Sequence, residues 1–150
     1  PLGTIGSLKL LNNNLTENFF SINCDIIINH NFKEIFDFHE KNNNDLTIVT
    51  SIKNFEIPYG VCETNNKGAL KNFLEKPSYD LFINTGLYVF KKSTINFIPK
   101  NKNFDIQELI EKLKKSKKKI GIFPINQNSW FDVGQWTEYN KTNSFFNNEK

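Results

Sequence analysis

Arginine is absent from this chain, and all 19 of its basic residues are lysines. The planar guanidinium fork that grips phosphate in two places is therefore excluded, and any phosphate chemistry falls to lysine. Methionine is absent too, and the first residue is Pro1. The sequence thus reads as a piece of something longer, with mid-chain residues at its start. Only two cysteines occur, Cys24 and Cys62, in apolar contexts and without metal-type spacing. That argues against zinc and predicts reduced thiols in a cytoplasmic setting. No apolar run approaches the length of a membrane span, so no membrane partner is expected. A net charge of +3 is too small to argue for nucleic acid. The basic cluster, Lys112 to Lys119, is expected at a helix C-terminus, where cations offset the helix dipole. His30 and His39 lack the companions of a catalytic dyad or metal cluster and receive no role.

Against these absences stand 150 residues, enough for one domain that hides roughly 70% of its unfolded surface. A short helix is expected over Ser7 to Leu11, ending at an Asn run. Phe19 to Asn23 reads as a buried central strand that delivers Asp25 to a sheet edge. Asn31 is placed as the cap of an amphipathic helix carrying Phe32, Ile35, Phe36 and His39, which the Asn42 to Asn44 run stops. Strands are predicted at Leu46 to Ile52, Tyr59 to Glu63, Ala69 to Leu74 and Phe82 to Phe90, with Asn65 to Gly68 as a hairpin turn. Asp105 and Glu108 form a capping-box pattern ahead of Ile106, Leu109, Ile110 and Leu113. A strand over Lys119 to Ile125 and a closing helix around Gln135 to Lys141 complete an open α/β sheet in one domain, with no internal repeat.

Several short motifs could carry chemistry, and each has a plainer structural reading. Asp25 and Asp132 both end apolar runs, flanked by residues that would restrict water. They suit either strand-end capping or a Mg²⁺ held by one or two carboxylates together with phosphate oxygens. Glu75-Lys76-Pro77 closes a strand and could aim an ammonium into a cleft, or be a solvated charge pair. Asn84-Thr85-Gly86 interrupts an apolar strand. A buried Asn needs partners and a mid-strand Gly marks close backbone approach, and a ligand hydroxyl would satisfy both. The Pro1 to Gly6 loop lets backbone approach a base or phosphate. Tyr59-Gly60 is compatible with an ordinary loop, and the aromatics around Asp132 suit a core.

In order, Pro1-Leu2-Gly3-Thr4-Ile5-Gly6, Asn23-Cys24-Asp25, Pro58-Tyr59-Gly60-Val61, Glu75-Lys76-Pro77, Asn84-Thr85-Gly86 and Trp130-Phe131-Asp132-Val133-Gly134 resemble the sugar-1-phosphate nucleotidyltransferase family. The resemblance runs from Pro1 to about Thr142 and is to guanylyltransferases of the mannose-1-phosphate and heptose-phosphate kind. Within these it is nearest to bacterial members with CBS domains that make GDP-glucosamine for legionaminic acid. It implies a Rossmann-like, GT-A-like open mixed sheet with flanking helices, lacking its first βα unit. Residues 1–150 would be the C-terminal part of a single nucleotidyltransferase domain.

The implied substrates are a nucleoside triphosphate, GTP by this likeness, and a sugar 1-phosphate. A homo-oligomer through the parent chain is compatible with it. By resemblance Gly3 and Thr4 lie against the base, Asp25 and Asp132 bind Mg²⁺, and Lys76 meets the sugar phosphate. Glu75, Asn84 and Gly60 hold sugar hydroxyls, with Asn23, Tyr59, Thr85 and Gly86 completing the substrate site. Two departures stand out: Cys24 replaces the usual Gly, and the family's glycine-rich loop, with its Arg and Lys, would precede Pro1. The implied consequence is that this segment alone transfers little and exposes an apolar sheet edge. A non-catalytic sugar-phosphate or nucleotide-binding module is the competing reading.

Overall fold

A computed structural model describes residues 2–134. Eight strands and two α-helices occur among them: β1 (Asn18–Ile22), β2 (Ile26–Ile28), α1 (Phe32–Lys41), β3 (Leu46–Glu56), β4 (Val61–Thr64), β5 (Leu70–Leu74), β6 (Ser78–Lys91), α2 (Ile106–Lys115), β7 (Ile120–Ile125) and β8 (Trp130–Asp132). Four strands form the main sheet in the order β1-β6-β3-β7. β6 is antiparallel to both β1 and β3, while β3 and β7 are parallel, so the sheet is mixed and β1, β3 and β7 all run the same way. β2 pairs antiparallel with β8, and β4 with β5, as separate two-stranded sheets.

Local chemistry explains the helices. Asn31 accepts a hydrogen bond from the Lys33 backbone N–H at 3.0 Å and starts α1. Asn43, with φ of 48°, takes the left-handed conformation that ends it. The Asp105 backbone N–H donates to Glu108 Oε2 at 2.9 Å at the start of α2. Each helix then covers one face of the sheet. Ile35 of α1 packs with Val49, Leu87 and Val89. On the other face Leu109 and Leu113 of α2 pack with Leu46, Tyr88 and Phe90. Alternate residues of the central strands thus feed opposite cores, as the two-residue strand period requires.

Several expectations change. β1 is an edge strand among the described residues, not a central one, and Ile22 is 49% exposed. The first helix is a 3-10 helix over Gly6–Asn14. Tyr59 precedes its strand, which begins at Val61. Cys24 and Cys62 are exposed thiols rather than members of apolar surroundings. The lysine run does sit at the α2 C-terminus, where Lys112 Nζ donates to the Phe97 carbonyl at 3.1 Å and Lys118 pairs with Asp45 at 3.3 Å. The closing helix expected around Gln135 to Lys141 lies outside the described residues. No helix among the described residues is long and apolar enough to cross a membrane.

Candidate functional site

Because β1, β3 and β7 are parallel, their C-terminal ends share one edge of the sheet, the edge at which open α/β sheets place ligands. β1 stops at Ile22 and β7 at Ile125, whereas β3 continues to Glu56 with β6 beside it. The β3–β6 extension therefore walls one side of an open edge, and the sequence-selected residues gather around it in distinct groups.

The first group joins residues more than a hundred positions apart. Asn23 follows β1 directly, and its backbone N–H donates to the Gly86 carbonyl at 3.0 Å. Asp25 leads into β2, whose pairing with β8 sets Ile26 opposite Asp132. The Val133 N–H donates to the Asp25 carbonyl at 2.9 Å and closes this junction. A Cβ added at Gly134 would stand 2.8 Å from Asp25 Oδ2 and 3.2 Å from Asp132 Oδ1. The two carboxylates thus converge on a space that one methyl group would fill.

Asp132 Oδ1 accepts a hydrogen bond from the Gly134 N–H at 3.0 Å. Neither aspartate joins an ion pair among the described residues. Asp25 is exposed and Asp132 half-buried, so water reaches both, contrary to the expectation of flanking residues that restrict it. Two neighbouring carboxylates without a protein cation repel each other, and a divalent ion relieves that repulsion. No set of three or more His, Cys, Asp or Glu is grouped to hold a metal among the described residues. The pair nevertheless fits Mg²⁺, which takes one or two carboxylates and completes its shell with water and phosphate oxygens.

Gly86 explains itself in this group. Two steps along β3, Ile48 to Thr50, oppose four along β6, Tyr88 to Asn84, so β6 bulges there. Gly86 takes a φ of 85°, and a Cβ on it would lie 2.7 Å from Asn23 Nδ2. The expected close approach is present, made by the Asn23 side chain. Thr85 is buried and donates from Oγ1 to the Val49 carbonyl at 2.8 Å, pinning the bulge. Asn84 is exposed rather than buried; its Nδ2 donates to the Tyr88 hydroxyl at 2.7 Å and its Oδ1 accepts from the Gly86 N–H at 3.2 Å. Its partners are protein groups, so a ligand hydroxyl is not required to satisfy them. Burial pushes the Tyr88 hydroxyl pKa up, partly offset by the Asn84 hydrogen bond.

A second group lies on the β4–β5 hairpin and the turn into β6. A Cβ on Gly60 would meet the Phe73 ring at 2.6 Å and Glu75 Oε2 at 3.2 Å, so Gly60 and Glu75 are neighbours because residue 60 has no side chain. Tyr59 beside them is 73% exposed. Lys76 adopts a φ of 43°, a conformation unusual for a residue with a side chain, and its exposed ammonium joins no ion pair among the described residues.

Gly3 and Thr4 belong to a third place. Gly3, at φ 74°, lies against the Phe104 carbonyl, which a Cβ would approach to 2.7 Å. The Thr4 N–H donates to Asp105 Oδ1 at 2.8 Å, and Thr4 Oγ1 accepts from the Ile106 N–H at 3.1 Å. Thr4 therefore caps α2, and the following Ile5 joins the core beneath that helix. Ile26 and Trp130, which flank the aspartates, pack against the opposite core. Of the two residues expected against the base, Thr4 thus caps α2 and Gly3 packs on the Phe104 carbonyl.

Three residues at the edge were not selected from sequence. Thr50 and Ser51 are buried where β7 ends, and neither hydroxyl has a hydrogen-bond partner among the described residues. Two steps on, Lys53 holds its Nζ 5.0 Å from the centre of the Trp130 ring. The available signal was a polar Thr-Ser pair closing the apolar run Leu46 to Val49.

A family model described as nucleotidyl transferase matches residues 1–149. The chain is 30% identical over 141 residues to the mannose-1-phosphate guanylyltransferase catalytic subunit beta of Drosophila melanogaster, covering 90% of this chain and 37% of that protein. It is 33% identical over 142 residues to the mannose-1-phosphate guanyltransferase of Aspergillus oryzae, covering 90% of this chain and 38% of the relative. The chain therefore spans less than two-fifths of the length of these relatives. The aligned stretch covers their N-terminal part and not their C-terminal part, so a C-terminal position does not hold for the relatives as wholes. Among solved structures, HddC from Yersinia pseudotuberculosis superposes with a TM-score of 0.68 at 23% identity, over 97% of this chain and 63% of that one, which supports the fold. Its complex with GMP-PN superposes at 0.65. With its motifs in order, its mixed sheet and its paired aspartates at the strand ends, this chain belongs to the nucleotidyl transferase family.

Proposed function

We propose that this chain forms part of the site of a sugar-1-phosphate nucleotidyltransferase, with GTP as the nucleoside triphosphate. The observation that carries the reading is the convergence of Asp25 and Asp132 on Gly134, a carboxylate pair that joins no cation among the described residues, at the C-terminal edge of the parallel strands. The guanylyltransferase relatives support the choice of chemistry and of base. In the proposed reaction a phosphate oxygen of the sugar 1-phosphate attacks the α-phosphorus of the triphosphate. The bond from that phosphorus to the bridging oxygen breaks, and pyrophosphate leaves with the electron pair.

Asp25 and Asp132 would hold Mg²⁺, which supplies positive charge to the phosphate oxygens when bound. Asn23 braces the turn that carries Asp25 by packing over Gly86. Glu75 and the Gly60 backbone offer an acceptor and an unobstructed surface for sugar hydroxyls, and Lys76 offers a free ammonium for phosphate. Positioning and charge stabilisation account for most catalysis in phosphoryl and nucleotidyl transfer. Pyrophosphate release by the full-length protein, with GTP and a panel of sugar 1-phosphates, tests the reading. Sugar-dependent release that disappears in Asp25→Asn and Asp132→Asn supports it. Binding of both ligands without release would favour the non-catalytic module instead.

A further inference from the structure

The face of β3 that looks toward α1 continues past the end of its strand neighbours. Thr47 on that face shares a hydrogen bond with His39 of α1 at 2.8 Å, and Val49 packs with Ile35. Strand alternation puts Ser51 and Lys53 on the same side. The Lys53 ammonium accordingly lies over Trp130, 5.0 Å from the ring centre. Trp130 and Asp132 are two residues apart on β8, so they share one face of the β2–β8 ribbon. Lys53 and the aspartate pair therefore border the same gap between the main sheet and this ribbon.

That gap holds donors without acceptors. The Ser51 hydroxyl and the Trp130 indole N–H are buried and have no hydrogen-bond partner among the described residues. Lys53 is exposed and forms no ion pair among the described residues. Buried donors normally find acceptors, and a lysine over an indole ring is held in place without being neutralised. A phosphoryl group supplies what is missing, since its oxygens only accept and form stronger, charge-assisted bonds with an ammonium.

We propose that Lys53, parked over Trp130, is a phosphate-binding residue of this site, moving from the ring to a substrate phosphoryl group held beside Asp25 and Asp132. This rests on the nucleotidyl-transfer reading for the identity of the substrates, and the phosphoryl group belongs either to the nucleotide or to the sugar phosphate.

Calorimetry of the full-length protein in Mg²⁺ tests it, with inorganic pyrophosphate, GTP and mannose 1-phosphate as separate titrants. Lys53→Gln is expected to weaken pyrophosphate and one of the two substrates about tenfold, the loss of one charge-assisted bond, with an unchanged melting temperature. Loss toward GTP assigns Lys53 to the nucleotide, and loss toward mannose 1-phosphate to the sugar phosphate. Lys53→Arg, which keeps the charge, should retain most of the affinity, and Lys115→Gln on α2 should match wild type. Equal pyrophosphate affinity in wild type and Lys53→Gln, or no binding to either, overturns the proposal. Failure of the transfer reading would show separately, as wild-type protein that binds pyrophosphate through Lys53 and yet releases none from GTP and any sugar phosphate.

Discussion

Two regions of this domain treat their polar groups in opposite ways. Around the start of α2, Thr4 exchanges hydrogen bonds with Asp105 and Ile106 across 101 and 102 positions, and Asp105 donates to Glu108 within the helix turn. At the C-terminal edge of the parallel strands, Asp25 and Asp132 converge without a cation, and Ser51 and Trp130 keep buried donors unpaired, among the described residues. Unmade bonds cost stability; Ser51 and Trp130 leave theirs beside the aspartate pair, as His39 and Asn44 do near the start of β3. The satisfied region holds the start of α2 in place.

Substitutions can break this contrast. The largest effect should come from Asp132→Asn or Asp25→Asn in the full-length protein. A loss of about 100-fold or more in kcat is expected, the scale of removing one preorganised charge-stabilising group, with little change in melting temperature. Leu109→Ala, in the core beneath α2, should do the reverse and cost about 2–5 kcal/mol in a denaturant titration. Any activity that remains should keep its KM values. Thr4→Val removes a cap and should cost about 1 kcal/mol, again without altering KM for the nucleotide. A selective rise in that KM would instead return Thr4 to the base-binding role implied by resemblance.

The smallest effect concerns pH. Burial pushes the His39 pKa down, with Lys91 adding to the shift and Glu40 and Asp45 opposing it. Below about 6.5 the unfolded chain binds a proton at this residue that the folded chain resists. Stability should therefore fall as pH drops from 6.5 through the lower folded value. The acid limb of a melting-temperature profile should be shallower in His39→Gln.

Much of the scaffold was legible because its signals are local. Asn31, Asp105 and Glu108 act within one helical turn, and the Asn65 to Gly68 turn joins β4 to β5 as its composition suggests. Strand neighbours were not legible, since β1 is an edge strand despite its apolar residues and nothing local to Phe19 to Asn23 reports pairing. The aspartate pair was found by the order of motifs, while its geometry depends on β2 meeting β8 across the chain. Asn84 shows the opposite failure. A polar residue in an apolar strand suggested a buried group awaiting a ligand, but Asn84 is exposed past the bulge and bonds the Tyr88 hydroxyl and the Gly86 N–H. Lys53 was invisible because its meaning comes from an indole 77 positions away.

The most direct test of the central claim is a double-mutant cycle on metal binding. Mg²⁺ affinity of the full-length protein with GTP present would be measured for wild type, Asp25→Asn, Asp132→Asn and the double variant. If both carboxylates hold one ion, each single change removes most of the affinity and the double change adds little more. Independent, additive losses, or single variants that bind Mg²⁺ as wild type does, would contradict a shared site.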